Sequence, residues 1–256
     1  MIKYFIKFSF IRKLITSLGV RLLKLLKINE GYFNINGFKM YLNFLDPIDR
    51  IIILNKTYET EELTILSKVI ENHSIKRFID IGANCGFYSF KFAKKKLNVL
   101  AFEPNSDAFQ KMKNTINKNF YLNNYLKIFP FGISDTNSKL KMVSMVKHGY
   151  VQTGGSGVLG KRNFDNSKFK IYDANFKIGD EVLTFKNEKI VIKIDVEGHE
   201  LNVLKSIANL LKYNKCVIQI EIFDENFDRI NNYLLKKNYK QFNEFKKRNN
   251  FFYSNL

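Results

Sequence analysis

From Arg77 onward, short apolar runs alternate with stretches whose apolar residues recur at helical spacing. The runs "RFIDIG" (77–82), "NVLAFEP" (98–104) and "YLKIFPFGIS" (125–134) are too short for core helices and read as buried strands. Between them, "GFYSFKFAKKK" (86–96) and "SDAFQKMKNTINKN" (106–119) have helical periodicity, with Ser106 as the expected N-cap. "KLKMVSM" (139–145) is an additional strand candidate. The stretch 147–175, which contains "QTGGSGVLG", is glycine-rich and weakly patterned, and it reads as a long loop of functional or mobile character. Alternation resumes with strand "EKIVIKIDV" (188–196), helix "GHELNVLKSIANLLK" (198–212), strand "KCVIQIEIF" (215–223) and helix "NFDRINNYLLKKN" (226–238). "YKQFNEF" and "NNFFYSN" then form a closing antiparallel hairpin. This order predicts an α/β fold, a doubly wound and mostly parallel sheet of seven strands. No repeat or linker interrupts it, so the expected organisation is a basic, apolar N-terminal helical segment and cap over 1–56, then one domain over 57–256.

Residues 1–28, "MIKYFIKFSFIRKLITSLGVRLLKLLKI", lack the pattern of a secretion signal, because basic residues break every apolar run and no small-residue cleavage site follows. The segment is too charged to span a bilayer. Lys3, Lys7 and Arg21 share a helical face but Arg12 lies opposite, which fits two short helices breaking near Gly19. Either they pack as a cap on the domain or they lie on a membrane surface. The expected location is cytoplasmic, at the inner membrane face if the segment is an anchor.

The formal charge is +18, which raises the question of a nucleic-acid partner. Lysine supplies 35 of the basic residues and arginine only 7, and the lysines are scattered singly, so a solvated basic surface is expected and nucleic acid is not. The hydrophobic fraction of 45% suffices for a full core. Cys85 and Cys216 stand far apart without metal-ligand spacing, which argues against a disulfide framework.

The candidate chemistry sits at strand ends. "DIGANCG" places Gly82 and Gly86 where the backbone can approach a ligand, with free N–H groups at the helix start behind them. Asp80 precedes the first glycine and the spacing is G-x-x-x-G, unlike a dinucleotide loop. A carboxylate there would repel a pyrophosphate and would suit an ammonium or a sulfonium. Glu103, at the end of the next strand, is placed to accept hydrogen bonds from two ribose hydroxyls. Together the two acids point to S-adenosylmethionine. "KIDVEGHE" (193–200) then puts Asp195, Glu197, His199 and Glu200 directly behind an apolar run, although a carboxylate at a buried strand end is costly unless paired.

The segments "FIDIGANCGFYSFKFA", "AFEPNSDAFQKMKNTI", "GISDTNSKLKM" and "IKIDVEGHELNVLKS", in this order, resemble the FkbM-type S-adenosylmethionine-dependent methyltransferases. The resemblance covers roughly Tyr58 to Phe223 and is most specific in the D-x-E-G-x-E block. It implies a Rossmann-like class I methyltransferase fold and methylation of hydroxyl oxygens, often on sugars or on polyketide and glycolipid scaffolds. Asp80, Gly82, Ala83, Asn84 and Gly86 match the first motif and would line the methionine end of the cofactor. Glu103 matches the ribose acid, with Pro104 and Asn105 beside the adenosine. Ser134 and Asp135 match a motif placed near the adenine. Glu59, in "TYETEE", stands where the family often has a tyrosine–glutamate pair. His199 stands where the family has a small residue; with Asp195 and Glu197 it completes the candidate catalytic set.

Three readings of the acid cluster stay open. Asp195 orients or deprotonates the acceptor hydroxyl, or the acids hold a divalent metal, or they favour a helix N-terminus electrostatically. Asp195 leans to function and Glu200 to structure, and no metal is included among the expected cofactors. His148, Tyr150, Gln152 and Ser156, in the long loop, are candidates for an acceptor pocket or lid. The acceptor is expected to be a glycan or small-molecule hydroxyl. The alternatives are a nucleic-acid methyltransferase, which usually carries an N/D-P-P-Y/F string where this chain reads "DVEG", or an inactive cofactor-binding scaffold.

Overall fold

Asn36 and Gly37 both take left-handed backbone (φ 49 and 86), as a two-residue type I′ hairpin turn requires. They join β1 (Glu30–Ile35) to β2 (Phe38–Asn43). The "NG" pair is a strong local hairpin signal that periodicity alone passes over. Helix α1 (Pro47–Asn55) follows, with Asp46 accepting from the Ile48 N–H as N-cap and Pro47 in the first turn. Helix α2 (Thr60–Asn72) leads into the main sheet. The computed structural model describes residues 29–147, 150–160 and 169–256. The expected helices of 1–28 and the candidate His148 lie outside the described residues.

The main sheet contains β3 (Arg77–Ile81), β4 (Asn98–Phe102), β5 (Leu126–Phe129), β11 (Lys189–Ile194), β12 (Lys215–Glu221), β13 (Lys240–Phe245) and β14 (Asn250–Ser254). Their spatial order is β13-β14-β12-β11-β3-β4-β5. The first five are mutually parallel, and β14 inserts antiparallel between β12 and β13. The order reverses between β3 and β11, which is where a doubly wound sheet opens its ligand crevice.

Period-two alternation builds two cores from single strands. Phe78, Val191 and Val217 face one side, with helix α3 (Phe87–Lys94), the N-terminal hairpin, α1 and α2. Ile79, Ile81, Ile192, Ile194, Ile218 and Ile220 face the other, against α6 (Glu200–Ser206), α7 (Ala208–Tyr213) and α8 (Phe227–Lys236). Helix α4 (Ser106–Asn117) closes the first side and holds the hairpin: Thr115 Oγ1 accepts from the Tyr41 N–H at 2.9 Å, and Asn119 Oδ1 accepts from Lys39 N–H at 3.1 Å. The N-cap of α4 is Asn105, whose Oδ1 takes the N–H groups of Asp107 and Ala108; Ser106 is the first helical residue instead of the cap.

Residues 30–43, expected to belong to a helical segment and cap, form the β1–β2 hairpin instead, and two further expectations change. The run 125–134 is two strands, not one: β5 stays in the main sheet, and after Pro130, which has no N–H for a ladder, the chain turns into β6 (Gly132–Ser134) of a second sheet. The stretch 147–175 is not simply a loop. It carries β8 (Tyr150–Val151), β9 (Gly157–Val158) and the start of β10 (Phe169–Ile178), which pairs along β7 (Ser138–Lys147). The second sheet runs β6-β10-β7-β8, with β9 on β7. Its small apolar core is Met142, Val158, Ala174 and Phe176. A short helix α5 (Gly179–Val182) returns the chain to β11. No helix among the described residues is long and apolar enough to cross a membrane.

Candidate active site

A cleft opens where the carboxyl ends of β3, β4 and β11 meet the second sheet. Gly82, Asn84, Glu103, Pro104, Asp195, Glu197 and His199 all line it, so the structure gathers motifs more than a hundred residues apart in sequence. Gly82 is where β3 touches β11. Its φ is +83, and a Cβ there would lie 1.9 Å from the carbonyl oxygen of Asp195. Only glycine permits both.

Glu103 is 6% exposed and anchored from two sides. Its Oε2 accepts the Asn84 N–H and its Oε1 the Asn105 N–H, each at 2.7 Å. Burial lifts its carboxyl to about 7, with these two hydrogen bonds pulling the other way. Each oxygen keeps a lone pair for a further donor. Asn84 Oδ1 is buried without a partner beside it, and so is one oxygen of Asp80. Asp80 lies just below the cleft lining, accepting from Ser89 Oγ at 2.6 Å, and burial raises its carboxyl despite the nearby Lys193. Buried acceptors without donors are what an ammonium- and hydroxyl-bearing ligand would satisfy, so the residues fit S-adenosylmethionine.

The D-x-E-G turn forms the facing wall. Asp195 Oδ2 accepts from the Lys193 ammonium at 2.7 Å. Lys193 is buried, yet Asp195, Glu59 and Asp80 outweigh that desolvation and push its pKa up. The register Ile194↔Ile220 brings Glu221, at the end of β12, beside Asp195. Asp195, Glu197 and Glu221 each offer an oxygen within 4.8 Å of the others, the geometry among the described residues that could hold a cation. Burial first, then Asp195 and Glu197, raise the Glu221 carboxyl strongly. Sequence reading missed Glu221. The signal was present: "KCVIQIEIF" also ends a core strand in an acid. Glu197 itself takes left-handed backbone (φ 55), an uncommon state for a non-glycine residue that often marks functional turns.

Of the other expected residues, His199 reaches the lining, while Glu200, Ser134, Asp135, Asn105, Ala83, Gly86 and Glu59 stand back from it. Glu200 is fully buried; it accepts from the Gly198 N–H at 2.9 Å and ties the turn to the start of α6. Burial lifts its carboxyl to about 7. His199 is buried, shares a hydrogen bond with Ser134 Oγ through Nε2 at 2.9 Å, and lies edge-on to Phe176. Ser134 thus joins β6 to α6, and Asp135 accepts from Asn202 at 2.9 Å, while Gly132 and Ile133 supply the lining from that strand. Asn105 does not aim at the cleft; beyond its capping role, its Nδ2 donates to Ser156 Oγ at 3.2 Å and to the Tyr172 hydroxyl at 2.8 Å. Ala83 and Gly86 complete the turn behind Gly82, and Glu59 accepts from the Tyr88 hydroxyl at 2.7 Å.

A roof crosses the cleft. Thr153, Gly155, Ser156 and Val158 line it from above, opposite Ile48 of α1. Gly157 passes so close to the D-x-E-G turn that a Cβ would lie 2.9 Å from the Glu197 carbonyl oxygen. Gln152 is buried and Tyr150 half-buried at the edge of this segment.

A family model described as "Methyltransferase FkbM domain" matches residues 80–241. No curated protein matches the chain. Among solved structures, the chain is similar to the methyltransferase FkbM from Methylobacillus flagellatus, at 17% identity and TM-score 0.48, over 70% of this chain and 43% of that one. It is also similar to a putative caffeoyl-CoA O-methyltransferase from Staphylococcus aureus, at 12% identity and TM-score 0.47, over 94% and 98% of the two chains. A third is the N-terminal domain of human METTL16 in complex with SAH, at 14% identity and TM-score 0.40, over 76% and 68%. The chain spans less than half the length of the Methylobacillus protein.

Proposed function

This chain belongs to the FkbM methyltransferase family, and from that premise we propose that it methylates a hydroxyl oxygen, on a sugar of a glycan, glycolipid or natural product. The methyl donor is S-adenosylmethionine, which supplies an electrophilic methyl group on a sulfonium. Glu103 accepts the ribose hydroxyls with the lone pairs its backbone partners leave free. Gly82 and Asn84 line the cleft on the same side.

The observation that carries the hydroxyl reading is Asp195. It lines the cleft beside Gly82, paired with a buried lysine and next to a second acid. An alkyl hydroxyl is a weak nucleophile, and a carboxylate held at the reaction face can orient it and take its proton as the new carbon–oxygen bond forms. The proton passes from the acceptor oxygen to an Asp195 oxygen, and Lys193 keeps that carboxylate in place. Acceptor recognition belongs in this reading to the wall formed by Glu197 and the roof.

Calorimetric titration of S-adenosylmethionine, with Glu103→Ala beside the wild type, tests the cofactor site. A panel of glycan acceptors then tests the reaction. Asp195→Asn is expected to keep cofactor binding and to lose about a hundredfold or more in kcat. An Asp195→Asn enzyme that turns over a hydroxyl acceptor at the wild-type rate would remove the base from this account.

A further inference from the structure

The roof over the cleft is held by charges that the catalytic reading does not use. Asp46, Asp49 and Lys111 are 0%, 0% and 5% exposed and lie together behind Thr153. Lys111 Nζ donates to Asp49 Oδ2 at 2.6 Å and to Thr153 Oγ1 at 3.1 Å, and stands 3.5 Å from Asp46 Oδ2. Asp46 Oδ2 accepts both the Thr153 N–H and the Thr153 hydroxyl, each at 2.9 Å. Its other oxygen caps α1 through the Ile48 N–H at 3.1 Å. One carboxylate therefore fixes a helix start and a roof residue at once. Next along the roof, Gly154 packs so tightly on Ile48 that a Cβ would lie 2.5 Å from the end of that side chain. Ile48 and Thr153 both line the cleft.

Three buried charges are an expensive way to join two surface segments, because each must be stripped of water. Apolar contacts would join them at less cost. What the charges add is a fixed direction: Thr153 has its N–H, its hydroxyl proton and a hydroxyl lone pair all engaged. We propose that Lys111 is a positioning residue: with Asp46 and Asp49 it fixes Thr153, holds the roof segment 153–158 over the cleft, and so sets how tightly S-adenosylmethionine is retained. The consequence is that α1 and the turn before it, which precede the family match at residue 80, are part of the site. The proposal rests on the cofactor reading above.

The experiment uses the full chain, with hydrogen exchange of the roof amides and calorimetric titration of S-adenosylmethionine on the same samples. Lys111→Met leaves two buried carboxylates without their cation and can fail to fold. Thr153→Val, which keeps shape and loses the hydroxyl, is therefore the deciding variant, with Thr153→Ser as the conservative control. Thr153→Val is expected to speed exchange at 153–158 alone and to weaken cofactor affinity about tenfold, since hydrogen bonds to charged partners are lost. Thr153→Ser restores both. If Thr153→Val binds the cofactor like wild type and its roof amides stay as protected, the proposal is wrong. Faster exchange spread over the whole main sheet also overturns it, because that marks plain structural damage. A wild-type protein that binds no S-adenosylmethionine strikes the cofactor reading instead, while roof exchange still decides whether the latch exists.

Discussion

At the residue scale, the site depends on backbone freedom as much as on charge. Gly82 sits at φ +83 with the Asp195 carbonyl where its side chain would be. Gly82→Ala adds left-handed strain to an overlap with rigid backbone, and is expected to cost about 3 kcal/mol or more of unfolding free energy. Urea denaturation checks this; a loss below about 0.5 kcal/mol would mean that β3 and β11 can part without penalty. The same contact explains why Gly82 and Asp195 act as one unit. Moving one moves the other, and with it the carboxylate that Lys193 holds.

At the element scale, the N-terminus of α4 is a junction. Asn105 caps the helix with Oδ1, gives its N–H to Glu103, and reaches the roof and the second sheet with Nδ2. Asn105→Ser keeps a capping oxygen but is too short to reach Ser156. Asn105→Ala loses both functions. Ala is therefore expected to be less stable than Ser by about 1 kcal/mol, while both weaken S-adenosylmethionine binding to a similar degree. Urea unfolding and calorimetry separate the two effects. Equal stability of the two variants would show that the cap contributes little here. The second sheet has a comparable role: its small core of Met142, Val158, Ala174 and Phe176 is too small to stand alone. It is supported where β6 leaves the end of β5 and where Phe176 meets His199.

At the scale of the whole molecule, several buried acids stand out against a chain of net charge +18. Burial lifts Glu103 and Glu200 to about 7 and Asp49 to about 6. Each carboxyl binds its proton more tightly in the folded protein than in the unfolded chain. The stability this confers is complete below the unfolded pKa and is lost as pH rises through the folded values. The ligand-free protein is thus expected to have a lower urea midpoint at about pH 8 than at about pH 5. A midpoint that holds steady or rises would show that ion pairs such as Lys111–Asp49 outweigh the burial of these acids. Cofactor binding should narrow the difference, because a bound ligand stabilises the folded state by mass action.

The chain's own pattern determined the main sheet, its seven strands, the turn carrying Gly82, and the acids Asp80, Glu103 and Asp195. These are local facts: apolar runs of strand length, each closed by an acid or a glycine, hold their meaning whatever surrounds them. The family resemblance reached the D-x-E-G-x-E block the same way. Tertiary structure decided what depends on contacts between distant segments. Glu221 joins Asp195 only through the β11–β12 register. Thr153 meets Asp46 across 107 positions. Ser134 meets His199, 65 positions away, because β6 leaves the main sheet after Pro130. Strand β10 was passed over although Tyr172, Ala174, Phe176 and Ile178 alternate with polar residues, because the glycine-rich stretch before it reads as a loop that continues into it. Strand periodicity reports which side of a strand is buried. Which neighbour buries it, and so which side chains share a cleft, is settled only when the two cores close on the sheet.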